Sequence, residues 1–239
     1  MNRPPRNPFY GWAGEKWDLP LQFKKIVDLG VPLASMNTPV YEGYPQPLRT
    51  TYSTVKNEGY ASFVWTFVEH VSTHVDAPMH MVEGGASIDK MPLSHFVGHG
   101  VVLDFSRKPR KFQIKKADVR NALKVTAHAG EVGKGWIVLF HLDYTSRSRA
   151  PDWMEHPDIT AEAAQYLVEL GVEAIGVDAP SPDHEPFEAH KILLPKGIVV
   201  FENLNNLDKL VRKDFLFVGA PLILQGGSAS VVRPVALVG

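Results

Sequence analysis

Apolar positions along the 239 residues fall mostly into short runs rather than long helical stripes. "GVVLDFS" (100–106), "GWIVLFHLDY" (135–144), "VEAIGVDAP" (172–180) and "KGIVVFENL" (196–204) are apolar blocks a few residues long, rich in Val and Ile, and bounded by Gly, Pro or Asp. That pattern predicts buried strands. "KKIVDLGVPLA" predicts a strand ending at Pro32, and "ASFVWTFVEHVSTHVDA" (61–77) the longest strand of all. "FVGAPLILQGGSASVVRPVALV" predicts a hairpin turning at Gly226 and Gly227. Helical spacing occurs in "KADVRNAL" (116–123) and most clearly in "TAEAAQYLVELG". There Ala163, Ala164, Leu167 and Leu170 share a face, Thr160 can cap the start and Gly171 the end. Strands outnumber helices and few are joined by one. The expected fold is therefore a mixed α/β domain, β-sheets with flanking helices over residues 21–239, and not a Rossmann fold. Residues 1–20, rich in Pro, Gly and Trp, read as an arm lying on a surface or on a partner subunit.

Within the longest strand-like stretch lies "EHVSTHVDAPMH", residues 69–80. A helix would put His70 and His74 on one face, but Val71, Thr73 and Val75 are β-branched and Pro78 breaks helices. In a strand, side chains alternate, so His70, His74, Asp76 and His80 project to one side. Val71, Thr73 and Val75 anchor the other side in the core, and by the same parity Phe63, Trp65 and Phe67 face the core unless a bulge intervenes. His74 and Asp76 stand roughly 6–7 Å apart at Cα, a span that two ligands of one cation can share. His70 stands roughly 13 Å from His74 in a straight strand, so convergence needs a bend, and Ser72 sits where it must occur. Spacing alone leaves metal ligation and ordinary polar packing both open.

Composition narrows the partners. A net charge of −1 and a pI near 6.8 give no electrostatic reason to expect nucleic acid or a membrane surface. There is no cysteine, hence no disulfide or thiolate chemistry. Neither G-x-G-x-x-G nor G-x-x-x-x-G-K-[ST] occurs, so nucleotide binding has no motif. No apolar run is long enough to cross a bilayer, and the start of the chain does not read as a signal peptide, so the expected location is the cytoplasm. Tyr44, in the Pro-rich loop "TPVYEGYPQP", is the best-placed aromatic for binding a small planar substrate. Asp178 is expected in a structural role, Glu69 and Glu83 in solvent, and the other histidines without a function.

"HVSTHVDAPMH" resembles the H-x-G-T-H-x-D-x-P-x-H signature of the cyclase-like metal-dependent hydrolases, a family that includes bacterial kynurenine formamidase and isatin hydrolase. Ser72 stands where the signature has glycine. The resemblance extends through "VDLGVPLA", "PVYEGYP", "IGVDAPSPD", "AHKILLPKGIVVFENLNNL" and "GSASVVRPVAL". It implies a swivelling β/β/α-type domain that hydrolyses a C–N bond in a small aryl formamide or cyclic amide with metal-activated water. The metal would be zinc or manganese, one ion or two. His70, His74 and Asp76 would hold a first ion, His190 and Glu202 a second with Asp76 bridging, and His80 would be the catalytic histidine. Alternatives on the same residues are lactam or lactone ring opening and a non-catalytic metal-dependent binding protein. The resemblance also implies a homodimer or homotetramer acting on a small-molecule substrate.

Overall fold

The computed structural model describes residues 23–239, so the arm expected over 1–20 lies outside the described residues. In chain order the elements are β1 (Lys25–Asp28), β2 (Leu48–Ser53), α1 (Val55–Glu58), β3 (Ser62–Thr66), β4 (His74–Asp76) and β5 (Val97–Asp104). There follow β6 (Gln113–Ile114), α2 (Lys116–Leu123), β7 (Trp136–His141), β8 (Asp158–Ile159), α3 (Ala161–Leu170) and β9 (Ala174–Val177). The chain closes with α4 (Glu188–Leu193), β10 (Val199–Glu202), β11 (Phe215–Val218), β12 (Ala229–Val231) and β13 (Val235–Val238). Nine strands form one mixed sheet in the order β1-β13-β11-β5-β7-β9-β10-β4-β12. Its centre, β5-β7-β9-β10, is parallel, and both flanks are antiparallel. This is the mixed α/β architecture that the apolar pattern predicts.

The unbroken apolar runs have a simple cause: the parallel strands are covered on both faces. Val138 and Phe140 of β7 pack with Val119 and Leu123 of α2, Ala164 and Leu167 of α3, and Ala189 and Leu193 of α4. Ile137 and Leu139 of the same strand face the opposite core, with Phe96, Phe201, Leu204 and Leu207. Helix α3 runs as its spacing predicts and ends at Gly171 in the left-handed region, φ 73°. Thr160 occupies its N-cap position, but the hydroxyl makes no capping bond; it donates to the Ile114 carbonyl at 2.9 Å, tying the helix start to β6. Among the described residues no helix is long and apolar enough to cross a membrane.

Two expected elements are corrected. The stretch 61–77 is not one strand. β3 pairs with β2 in a separate two-stranded ribbon, the chain is irregular after Thr66, and only His74–Asp76 joins the main sheet. With the strand broken, the parity argument fails for the aromatics: Phe63 is 42% and Trp65 39% exposed on the ribbon. Val71, Thr73 and Val75 are buried as expected. The C-terminal segment is not a hairpin either. Gly226 does make a turn (φ 74°), but β11 pairs with β5 and β13, whereas β12 goes to the far edge beside β4. Pro221, soon after β11, lacks the amide that a continued ladder needs, and β4 offers an open edge that β12 satisfies.

Close approach inside the sheet gives a sharp stability prediction. Gly100 of β5 lies opposite Phe215 of β11, and a Cβ there would meet the Phe215 ring at 2.0 Å. Gly100→Ala is expected to destabilise the fold by about 2–3 kcal/mol through overpacking, read from the urea midpoint.

Candidate metal centre and cleft

The bend that the spacing demands is present. Ser72 adopts φ 55°, a left-handed conformation costing a non-glycine residue about 1–2 kcal/mol. Side chains on both sides pin it: the Ser72 hydroxyl donates to the Val31 carbonyl (2.8 Å) and the Thr73 hydroxyl to the Asn203 carbonyl (2.6 Å). The turn folds His70 back on the strand, so that its ring lies 5.4 Å from that of His74.

β4 lies between β10 and β12, with His74 directly opposite Glu202 and Asp76 opposite Val200. His74 and Asp76 share a face by strand alternation, and Glu202 joins them as a cross-strand partner. α4 delivers His190, which is buried on that helix. The result is a buried cluster. His74 Nε2 is 3.2 Å from Glu202 Oε2 and 3.4 Å from Asp76 Oδ1. His190 Nε2 is 3.3 Å from Glu202 Oε1 and 3.6 Å from Asp76 Oδ2. His70 Nδ1 is 2.8 Å from Asp76 Oδ1.

These atoms fit a cation. His74 Nε2, His190 Nε2 and both Asp76 oxygens are buried with no hydrogen-bond partner, although they face one another. Donors bound at about 2.1 Å to one tetrahedral ion lie roughly 3.4 Å apart, close to the 3.2–3.6 Å that separate His74 and His190 from Asp76 and Glu202. The outer nitrogens are also committed: His74 Nδ1 donates to the Ser72 carbonyl (2.9 Å) and His190 Nδ1 to Asp183 Oδ1 (2.6 Å). Each bond leaves the Nε2 lone pair facing inward, the usual arrangement for histidine ligands. The field at the centre is strongly negative. Burial opposes charge on His74, yet Asp76 and Glu202 outweigh it and push its pKa up to about 9. Burial likewise opposes the Asp76 carboxylate, but His70 and His74 hold its pKa well below the usual range.

Two donor groups share Asp76: one with His74 and Glu202, one with His70 and His80. His190 in addition lies beside Glu202 and Asp76, so the distances accommodate one ion or two sharing Asp76. His80 sits on a single 3-10 turn, Pro78–His80, with its ring 4.0 Å from that of His70 and 5.9 Å from that of His190. Burial lowers its pKa, with Asp76 opposing, and this favours the neutral ring.

Above the donors opens a cavity of about 170 Å³, walled by Tyr41, Tyr44, Met81, Trp153, Pro180 and Phe187. Tyr44 therefore stands where the sequence places it. The loop carrying it is clamped at its base by Met36 N–H to the Pro47 carbonyl (2.8 Å) and by the Gln46 amide against the Thr38 backbone (2.9 and 3.2 Å).

Sequence reasoning missed Asp183, Trp153 and Phe187. Asp183 had a faint signal, a lone Asp between two prolines seven residues before His190; the aromatics had none, since their placement depends on loops crossing the sheet. Glu69 is not in solvent as expected: it accepts the Ser228 amide at 2.9 Å. Asp178 takes the structural role expected of it, accepting His141 Nδ1 at 2.7 Å and the Asp143 amide.

A second group, His156, Asp158 and His184, also brings donors together. Its two rings are stacked at 4.1 Å and 15°, so their in-plane lone pairs run side by side and do not converge on one ion. His184 instead donates from Nδ1 to Asp158 and from Nε2 to the Met154 carbonyl, as an imidazolium does. Asp158 raises the His184 pKa, and Asp158 itself is lowered, burial opposing and His184 prevailing. The His184 contribution is complete below its unfolded pKa of about 6.5 and is lost as pH rises through the raised folded value. That of Asp158 is present above about 3.9 and is lost as pH falls through its lowered folded value. The stability deficit of His184→Gln, measured by urea titration, is thus expected to be largest near pH 5–6 and to shrink at alkaline pH.

The Cyclase family model matches residues 27–184. A kynurenine formamidase from Salinibacter ruber is 31% identical over 211 residues, covering 83% of this chain and 91% of the relative. Among solved structures, isatin hydrolase A from Labrenzia aggregata superposes with a TM-score of 0.79 at 26% identity, covering 89% of this chain and 93% of that one. A structure described as a predicted metal-dependent hydrolase from Bacillus stearothermophilus superposes at 0.72 with 29% identity, covering 89% and 97%. With the matched span and the buried donor cluster in agreement, this chain belongs to the Cyclase family and is a metal-dependent hydrolase.

Proposed function

We propose that the chain hydrolyses the C–N bond of a small aryl formamide or cyclic amide. The observation that carries this reading is the buried set His70, His74, Asp76, His190 and Glu202, at ion-ligand spacings, beneath an aromatic-walled cleft. A divalent ion held there, zinc or manganese, in one or two copies, would acidify water and polarise the amide carbonyl. His80, neutral and at the cleft floor, takes a proton from the nucleophile and returns it to the departing nitrogen. Tyr44 and Tyr41, whose rings are 6.1 Å apart, stack against the aryl group. Asp183 and the Ser72 carbonyl hold His190 and His74 in the tautomers that ligation needs.

One observation favours the cyclic amide over an N-formyl amino acid. Among the described residues lining the cleft there is no Lys or Arg to pair with a substrate carboxylate. The test is elemental analysis of the purified protein, with rates on isatin and N-formylkynurenine before and after chelation. Stoichiometric zinc or manganese and a chelation-sensitive rate are expected, higher on isatin. Metal and ligand binding without turnover of any amide, lactam or lactone would overturn the reading.

We further propose an assembly of two or four copies. A two-stranded ribbon has little stability by itself, and β2–β3 exposes Tyr52, Val64, Phe63 and Trp65. A monomer mass by light scattering would reject it.

A further inference from the structure

We infer that Glu69 and Ser228 are positioning residues that decide which nitrogen of His70 faces the metal centre. The inference rests on the reading of His70 as a ligand. His70 Nδ1 lies 2.8 Å from Asp76 Oδ1, and its Nε2 lies 2.9 Å from the Ser228 hydroxyl. A hydroxyl both donates and accepts, so this contact by itself does not set the tautomer. Glu69 does. Its Oε1 accepts from the Ser228 hydroxyl and, at 2.9 Å, from the Ser228 amide. The backbone amide, which can only donate, fixes that oxygen as an acceptor, so the hydroxyl proton points to Glu69. The Ser228 oxygen is then left to accept from His70, whose Nε2 must carry the hydrogen. The Nδ1 lone pair is then free for a cation that His70 and Asp76 would hold together. His74 and His190 are held by a carbonyl and a carboxylate on Nδ1 and present Nε2, whereas the relay makes His70 present Nδ1.

The relay is built into the fold. The Ser228 carbonyl accepts from the amide of Ala77, the residue after Asp76 (2.9 Å), which registers the hydroxyl to the ligand strand. The Gly227 carbonyl accepts from the Ile88 amide (2.9 Å), and the Gly226 amide donates to Asp89 (3.0 Å). At Gly227 a Cβ would lie 2.9 Å from Glu69 Oε2, so the missing side chain is what admits the carboxylate.

The test measures zinc affinity by competition with a chelator, together with the His70 nitrogen shifts in long-range ¹H–¹⁵N spectra of the zinc-loaded and zinc-free protein. The wild type is expected to show His70 protonated at Nε2. Ser228→Ala should lose about 10–100-fold in affinity without losing the fold, and Ser228→Thr, which keeps the hydroxyl, should recover most of it. Glu69→Leu removes the acceptor of the serine hydroxyl, which frees that hydroxyl to donate to Nε2 and lets the His70 proton move to Nδ1, whereas Glu69→Gln, whose carbonyl oxygen can still accept from the Ser228 amide and hydroxyl, should keep the wild-type tautomer. A folded Ser228→Ala protein with wild-type affinity, beside a His70→Ala protein that has lost the metal, overturns the relay alone. A His70→Ala protein with undiminished affinity overturns the ligand reading beneath it.

Discussion

Asp76→Asn is expected to empty the metal centre, taking bound metal from stoichiometric to trace and turnover down by at least about 10³-fold. The carboxylate stands 2.8 Å from His70, 3.4 Å from His74 and 3.6 Å from His190, so every imidazole of the proposed ligand set is organised around it. It is also shared by both donor groups, so its loss weakens either a one-ion or a two-ion arrangement. The amide is neutral, and half of its orientations set an N–H₂ against a ring nitrogen. Unit charges 4 Å apart attract by about 4 kcal/mol at an effective dielectric of 20, and a divalent ion in direct contact by more, so a 10³-fold loss is the lower end. Elemental analysis of the variant, alongside circular dichroism to show that it is folded, is the measurement. Retention of stoichiometric metal would remove Asp76 from the ligand set.

His80→Gln should behave differently: turnover falls by about 10²–10⁴-fold while the metal stays. His80 lies at the cleft floor, and burial lowers its pKa and favours the proton-accepting form. Its ring is nevertheless 4.0 Å from that of His70, and it falls within one of the two donor groups. The two roles separate in a single experiment. If His80 moves protons, the variant keeps its metal and loses its rate; if it ligates, metal and rate fall together. Glutamine is preferred to alanine because it preserves much of the volume and leaves the neighbouring His70 packing in place.

Much of the chemistry was legible in local sequence. The even spacing of His74 and Asp76 marks one face of β4, while His70 reaches the same place through the Ser72 turn and His80 through the turn after Pro78; the β-branched residues between them are buried as expected. β5, β7, β9 and β10 were legible as apolar runs, and α2 and α3 as helical spacing, because burial on one or two faces leaves its period in the chain. His190 and Glu202 were legible only through the resemblance, since nothing in their own surroundings points to an ion.

The tertiary structure decided the rest. Whether 61–77 is one strand or two depends on which edge each piece can pair with, and β3 finds β2 while β4 finds β10 and β12. The same choice exposes Phe63 and Trp65, and it separates β11 from β12 where the local pattern reads as a hairpin. Glu202 meets His74 through the register of two strands distant in sequence, Asp183 reaches His190 across a loop, and Ser228 joins Glu69 to His70 from the far end of the chain. Hydrophobic periodicity reports how deeply a residue is buried. Which polar groups then face one another is settled by long-range hydrogen bonds whose partners lie too far apart for any local pattern to hold.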